Sequence, residues 1–209
     1  MPGTLASVTA TRATTSRMRA ASRREQILDV TTDIVARDGF TAVSIESVAR
    51  AAGISRPIVY EHFGDLPGLL EAVVDRETQR ALAQVTETAL SDLTEGDAVE
   101  LMLDSLRAYL HAVRDHSTTW RLVLMAPEGA PALLRDRIAR GRATVLDRLT
   151  RAVAPVLLRD RQQPDAELTA RVLSAISDEY AKLVLTDPVT FPPERLLEHA
   201  RWYLGRADP

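Results

Sequence analysis

The sequence has no cysteine and few aromatic residues. Because none of its 209 residues is a cysteine, disulfide bonds and thiolate metal sites are excluded. Phe, Trp and Tyr together make up only 4% of the chain, whereas alanine, leucine, valine and arginine are abundant. This composition favours an all-α protein.

The sequence also lacks long hydrophobic runs. No stretch approaches the roughly 20 consecutive apolar residues that a membrane-spanning helix needs. Hydrophobic residues make up 45% of the chain and charged residues 26%, proportions that are typical of folded globular proteins. We therefore expect one or two domains with a sizeable core, and no membrane partner.

Motifs that carry catalysis are missing as well. The chain contains no Gly-x-Ser-x-Gly, no Walker loop, no Gly-x-Gly-x-x-Gly, no His-Glu-x-x-His and no EF-hand loop. His111 and His116 would lie about 140° apart on a helix, which prevents them from sharing a metal ion. The sequence therefore predicts no enzyme, no cofactor and no metal site, and a helical enzyme is the weakest alternative.

The N-terminal segment contains basic residues but no acidic ones. Residues 1–24 include five arginines and are otherwise rich in serine, threonine and alanine. We expect residues 1–21 to form a flexible basic arm. Such an arm either makes no contacts or touches nucleic-acid phosphates, and an organellar transit peptide is the least favoured interpretation.

Residues 22–65 show the pattern of three short helices. Ser22 and Glu25 have the spacing of a capping box, in which both side chains bond backbone N–H groups at a helix start. The apolar residues that follow recur at helical spacing, and Gly39 is placed to end the helix in a left-handed conformation. A first helix is therefore expected to begin just after Ser22.

Two further helices follow, joined by a glycine. Ser44 is expected to cap the second helix and Ser55 the third, because a serine oxygen accepts bonds from N–H groups at a helix start. Gly53 supplies the tight turn between them. Two short helices joined in this way form a helix-turn-helix.

The third helix, residues 56–63, has an unusual outward face. A rotation of about 100° per residue places this face opposite Val59, which points to the core. The face consists of Pro57, Ile58 and Glu61, flanked by Tyr60 and His62. A DNA major groove suits this arrangement, because the central side chains would meet base edges and the flanking ones would meet phosphates.

Each outward residue type has a plausible partner on DNA. The candidate DNA-binding residues are Ser44, Ser55, Arg56, Pro57, Ile58, Tyr60, Glu61 and His62. Ile58 and Pro57 can contact thymine methyl groups, Glu61 can accept from a cytosine amino group, and Ser44 can approach a phosphate. The alternative is plain packing, in which Tyr60 or His62 lies against a neighbouring helix.

Residues 66–209 show a series of longer amphipathic helices, which brings the total to about nine. The helices at about 165–186 and 193–206 carry apolar stripes. These stripes consist of Leu168, Val172, Ile176 and Leu183, and of Leu196, Leu197, Ala200 and Leu204. The stripes indicate either an intramolecular core or a dimer interface. Because helix-turn-helix proteins usually bind paired half-sites as two-fold dimers, we expect a homodimer through these helices.

The middle helices offer candidates for a ligand pocket. The candidate ligand-binding residues are Met102, Leu106, Tyr109, Trp120, Leu124 and Met125. Methionine adapts to varied shapes, and tryptophan and tyrosine combine area with one polar group. Arg121, Glu179 and His111 are weaker candidates for polar groups. Taken one at a time, each of the six apolar candidates is more typical of an ordinary core than of a pocket.

The helix-turn-helix segment resembles a known family. It combines Gly39-Phe40, the run IESVARAAGIS at residues 45–55, the run YEHF at residues 60–63 and two adjacent leucines at 69–70. Over residues 23–73 this pattern is similar to the DNA-binding domain of the TetR family of bacterial transcription regulators. The resemblance implies that Tyr60 and His62 contact phosphates, and that the first residues of the third helix meet bases.

The resemblance also implies the rest of the architecture. An N-terminal three-helix helix-turn-helix domain (22–65) would be joined to a C-terminal helical ligand-binding and dimerisation domain (66–209). We expect a cytoplasmic, homodimeric repressor that binds double-stranded operator DNA and is released by a small lipophilic effector. The main alternative is a constitutive repressor that binds no effector.

Overall fold

A computed structural model gives an all-α fold, as the sequence predicts. It describes the backbone of residues 5–88, 97–126, 130–158 and 164–205, and the side chains in these ranges from residue 20 onward, except 86–88. The described helices are α1 (Leu5–Asp38), α2 (Ile45–Ala51), α3 (Arg56–Phe63), α4 (Leu66–Thr88), α5 (Ala98–Asp115), α6 (Ser117–Leu124), α7 (Ala132–Leu157), α8 (Ala166–Thr186) and α9 (Pro193–Leu204). None of them combines the length and apolarity required to cross a membrane.

The described chain forms two units, divided between Val73 and Val74. The first unit contains α1, α2, α3 and the start of α4, and the second unit contains the rest of α4 and α5 to α9. The sequence placed the boundary at Asp65, where a turn precedes α4. In the structure the boundary between the two units lies inside α4, because the first residues of this helix pack with the first unit.

Helix α1 is longer than expected. It begins at Leu5, whereas the sequence predicts a flexible arm over residues 1–21, and residues 1–4 lie outside the described chain. The predicted capping box at Ser22 does not start the helix either. No glycine or proline interrupts the chain from Leu5 to Asp38, and alanine and arginine favour helix. A local cap signal has no effect where the preceding turn is already helical.

The core of the first unit lies between α1, α2 and α3. Ile27, Leu28 and Val35 of α1 have no exposed surface. The buried hydroxyl of Thr31 donates to the carbonyl of Ile27 at 2.7 Å, so this polar group is satisfied within its own helix. Gly39 ends α1 with a φ of 81°, a positive value that favours glycine, but its ψ of 172° differs from that of the predicted left-handed cap.

The start of α2 is capped as predicted. The Ser44 hydroxyl accepts from the Ser47 N–H at 3.0 Å, and the Ser47 hydroxyl accepts from the Ser44 N–H at 2.9 Å. Ser55 precedes α3, but its side chain makes no capping bond. The second residue of α3 is Pro57, which has no N–H to donate, and the Ile58 N–H donates to the Ser55 carbonyl at 3.1 Å. The predicted side-chain cap at Ser55 is therefore wrong.

In the second unit, a buried carboxylate joins two helices. Glu77 of α4 is 1% exposed and forms ion pairs with Arg76 at 2.8 Å and Arg80 at 3.3 Å. Thr119 of α6 donates its hydroxyl to the same carboxylate. Because the buried charge is paired and hydrogen-bonded, it is compatible with the interior and holds α6 against α4.

The two serines at helix starts provide a matched test of the caps. We expect Ser44→Ala to lower the free energy of unfolding by about 1 kcal/mol, because it leaves N–H groups of α2 without an acceptor. Ser55→Ala should change it by less than about 0.5 kcal/mol, because its hydroxyl caps nothing. Urea denaturation followed by circular dichroism measures both, and equal losses would contradict this assignment.

Candidate nucleic-acid interface and internal cavity

The turn between α2 and α3 depends on a glycine. Gly53 has a φ of 64°, a left-handed conformation that residues with a Cβ atom adopt at a cost. The Ile54 N–H donates to the Ala49 carbonyl at 3.0 Å, which closes the end of α2. Val48 and Val59 are fully buried on the two helices, and Ala49 is nearly so. The predicted helix-turn-helix is therefore present.

The burial of Val59 determines which side of α3 is exposed. The exposed candidates on or beside this helix are Ser55, Arg56, Pro57, Tyr60 and Glu61. Tyr60 keeps 50% of its surface exposed, a high value for a large aromatic residue. Ile58 and His62 are half-buried, and the His62 ring lies 6.2 Å from the Phe63 ring. The predicted face thus forms one surface, on which Ile58 and His62 are less exposed than the other candidates.

One basic residue near this surface was not among the candidates. Arg24 of α1 places its guanidinium 4.9 Å from the centre of the Phe63 ring at the end of α3. In the sequence, Arg24 is one of the five arginines of residues 1–24, and only the packing of α1 against Phe63 brings it here. Ser44 is exposed at the start of α2, with its hydroxyl held by Ser47.

The second unit contains a cavity of about 240 Å³. Its wall is mainly apolar and includes side chains from α4 to α9. Five of the six predicted ligand residues contribute to it: Met102, Leu106, Tyr109, Trp120 and Leu124. Met125 does not line the cavity and is 39% exposed, because the chain leaves the helical conformation at this residue.

The polar groups of the cavity wall differ from those expected. Arg121 donates to the Leu185 carbonyl, and Glu179 is an exposed partner of Lys182. Neither side chain lines the cavity, and His111 does not line it either. The structure instead places Asp178 of α8 and Arg142 of α7 there. The sequence carried no signal for this pair, because it forms only when α7 packs against α8.

Tyr109, Asp178 and Arg142 form a polar cluster in the wall. The Arg142 guanidinium lies 3.0 Å from Asp178 Oδ2, and the Tyr109 hydroxyl donates to Asp178 Oδ1 over 3.5 Å. Burial, reinforced by the nearby Asp178 carboxylate, raises the pKa of Tyr109 above its usual value. The phenol therefore stays protonated at physiological pH and acts as a donor. Tyr109 also packs edge-on against Trp120, with 5.1 Å between ring centres.

The helices predicted to form a dimer differ in exposure. On α8, Leu168 is 59% exposed and Val172 is 44% exposed. On α9, the predicted residues Leu196, Leu197 and Ala200 are buried in the core of their own unit, so the assignment of this stripe to an interface is wrong. The large exposed side chains of α9 are Trp202 and Tyr203, and residue 206 lies outside the described chain.

Among the described residues, no three histidine, aspartate or glutamate side chains come together as metal ligands do.

Comparison with known proteins identifies the first unit. Residues 27–73 match the sequence profile of the bacterial regulatory proteins of the tetR family. The chain is 28% identical to the HTH-type transcriptional regulator AlkX of Mycobacterium tuberculosis, over 82% of this chain and 76% of the relative.

Two solved structures show the same fold along most of the chain. One is a TetR-like transcriptional regulator from Rhodococcus sp. RHA1, with a TM-score of 0.67 and 23% identity over 90% of this chain and 97% of that one. The other is a SmeT–triclosan complex, with a TM-score of 0.69 and 22% identity over 89% of this chain and 91% of that one.

Replacing a glycine by alanine is expected to have opposite effects on stability at two helical positions. Gly141 lies in the cavity wall, and an added Cβ would meet no atom within 4 Å, so Gly141→Ala should raise the free energy of unfolding by about 0.5–1 kcal/mol. In Gly68→Ala the Cβ would lie 2.3 Å from the Phe63 carbonyl oxygen, so we expect a loss of at least about 1 kcal/mol. Urea denaturation distinguishes these outcomes, and a destabilised Gly141→Ala variant would contradict the open space.

Proposed function

The chain is a TetR-family transcriptional regulator with a helix-turn-helix DNA-binding domain, and from this premise we propose that it is a cytoplasmic repressor released from operator DNA by a small lipophilic effector. The observation that carries the proposal is the occurrence, in one chain, of an exposed α3 face and a mainly apolar cavity. The first suits a major groove, and the second suits a small molecule.

On DNA, α3 enters the major groove with its exposed side. Pro57 and Ile58 contact thymine methyl groups, and Glu61 accepts from a cytosine amino group. Arg56, at the exposed start of the helix, reaches a guanine or a phosphate. Tyr60 and the half-buried His62 bond phosphates on the groove walls, which positions the helix without selecting a sequence.

The effector occupies the cavity of the second unit. The wall offers a methionine, a tryptophan and a tyrosine, side chains that bind lipophilic molecules of varied shape. A volume of 240 Å³ lies just below the range of about 300–1,000 Å³ that is typical of ligand pockets, so it suits a small effector. The similar fold of a protein in complex with triclosan supports a small-molecule effector of this kind.

Effector and operator are coupled negatively in this account. An effector that favours a conformation with poor DNA affinity releases the operator, and DNA lowers effector affinity by the same factor, typically corresponding to 1–3 kcal/mol. Helix α4 is the connecting element, because it begins in the first unit and continues past Val74 into the second.

Two copies of the chain bind one operator. Leu168 and Val172 on α8, and Trp202 and Tyr203 on α9, are exposed apolar side chains that a second copy would cover. A two-fold dimer places two α3 helices on adjacent half-sites of the duplex, so that two small domains bind one operator together.

Substitutions on α3 should separate positioning from base recognition. We expect Tyr60→Ala and His62→Ala to weaken binding to all DNA sequences by similar factors, because phosphates carry no sequence information. Ile58→Ala should relax the preference at one thymine position by about 1–3 kcal/mol. Arg107→Ala, an exposed arginine of α5, serves as the control. Fluorescence anisotropy on the operator and its single-base variants measures each effect, and an equal loss on all DNAs from Ile58→Ala would exclude its role with bases.

Filling the cavity should block the effector and leave DNA binding intact. We expect Gly141→Leu to bind the operator like the wild type but to need at least about tenfold more of any releasing compound, because the new side chain occupies ligand space. A set of lipophilic compounds that includes triclosan is screened by release of labelled operator. If the same concentration of compound releases the operator from Gly141→Leu and from the wild type, the cavity is not the effector site. If no compound releases the operator from the wild type, a constitutive repressor is favoured.

Charges on α8 should disrupt the dimer. Leu168→Glu combined with Val172→Glu would bury two carboxylates in the interface, so we expect a monomer at micromolar concentration. Val189→Glu is the matched control, because Val189 is 89% exposed in the turn between α8 and α9. Sedimentation velocity measures both variants. A double variant that remains dimeric would place the interface elsewhere.

A further inference from the structure

Asp178 is the one carboxylate in the described wall of the cavity. Asp178 lines the cavity, and its side chain is 22% exposed. Most of the surrounding wall is apolar, and the nearest aromatic residue is Tyr109. A ligand that fills the cavity therefore covers this carboxylate.

The donors that face Asp178 leave part of its bonding capacity unused. A carboxylate offers about four lone-pair positions. Arg142 lies 3.0 Å from one oxygen, while the Tyr109 hydroxyl reaches the other over a long 3.5 Å. Burial raises the pKa of Asp178, although Arg142, Lys182 and the bond from Tyr109 all act in the opposite direction. The existing donors thus leave an acceptor position on Oδ1 only weakly used.

This open acceptor position constrains what can bind. A purely apolar ligand would remove the remaining water from Asp178 and put no donor in its place, which is unfavourable. A ligand that donates a hydrogen bond to Oδ1 replaces that water, and a hydrogen bond to a charged acceptor is among the stronger ones.

The charges around Asp178 select an uncharged donor. Arg142 already supplies a positive charge beside the carboxylate, so a ligand ammonium would meet a like charge. A ligand carboxylate would meet Asp178 itself. Arg137, another residue of the wall, forms an ion pair with Asp75, in which Arg137 Nε lies 2.8 Å from Asp75 Oδ1. The geometry of this contact is not that of a hydrogen bond. Arg148 and Arg142 are both exposed, Arg142 with 54% of its side-chain surface, so solvent screens both charges in part, and only Arg142 contacts Asp178.

We infer that the effector is an apolar molecule with one neutral hydroxyl group, which donates a hydrogen bond to Asp178 beside Tyr109 and Arg142. The inference rests on the proposed function, because it concerns the cavity as the effector site.

Four probes of nearly equal size test the inference on the full-length protein. They are octan-1-ol, 1-methoxyheptane, octylamine and octanoate, of which the ether has the same number of non-hydrogen atoms as the alcohol but no donor. Isothermal titration calorimetry at pH 7 measures their affinities. We expect the alcohol to bind roughly tenfold or more tightly than the ether, and also more tightly than either charged probe.

Two neighbouring carboxylates on α8 provide a matched pair of variants. Asp178→Asn should reduce the preference for the alcohol over the ether several-fold, because the acceptor loses its charge. Glu179→Gln makes the same chemical change at a side chain that is 64% exposed and outside the wall, so the preference should persist. Circular dichroism confirms that both variants are folded. Gly141→Leu should weaken all four probes, which locates their binding in the cavity.

The outcomes distinguish the inference from the proposed function. Equal affinity for the alcohol and the ether, tighter binding of a charged probe, or an unchanged preference in Asp178→Asn would overturn the hydroxyl assignment while leaving the cavity as a ligand site. Binding of none of the probes, or binding that Gly141→Leu does not affect, would overturn the cavity as the effector site and the inference with it.

Discussion

The burial of Val59 against α2 is the constraint on which the account of DNA binding depends. Because Val59 has no exposed surface, α3 cannot rotate, and Tyr60, Pro57 and Glu61 must face outward. Gly53 makes this packing possible, since its left-handed conformation lets the chain reverse within a few residues. The exposed Tyr60 and Pro57 suit the contacts that we propose with a DNA groove.

The second unit contains a cavity, which removes packing contacts from its interior. Buried polar contacts near the cavity offset part of that loss. Thr119 and Glu77 hold α6 against α4, and the Trp120 indole N–H donates to the Gln84 side chain at 2.8 Å. These bonds fix the aromatic wall while Asp178 retains bonding capacity on the cavity side. The same unit thereby combines ordered helices with the cavity that we propose as the effector site.

Much of this structure follows from local sequence signals, and the failures share one cause. Gly39, Gly53 and Ser44 act within a few residues, so their roles were predictable. Ser22 failed because a cap signal does not show whether the preceding chain is already helical. The stripe at Leu196 was assigned to an interface because periodicity shows which face is apolar but not what covers it. The ion pair between Arg142 and Asp178 depends on the packing of α7 against α8, which no local pattern predicts.

The most direct test of the central claim is an anisotropy titration at 150 mM salt. The labelled DNA is the sequence most enriched by the protein from a randomised library, compared with a scrambled duplex of equal composition. The account predicts a preference of roughly a thousandfold or more, on a site with two-fold symmetry. Equal binding to both duplexes, weakening in parallel as salt rises, would contradict recognition of a DNA sequence by α3.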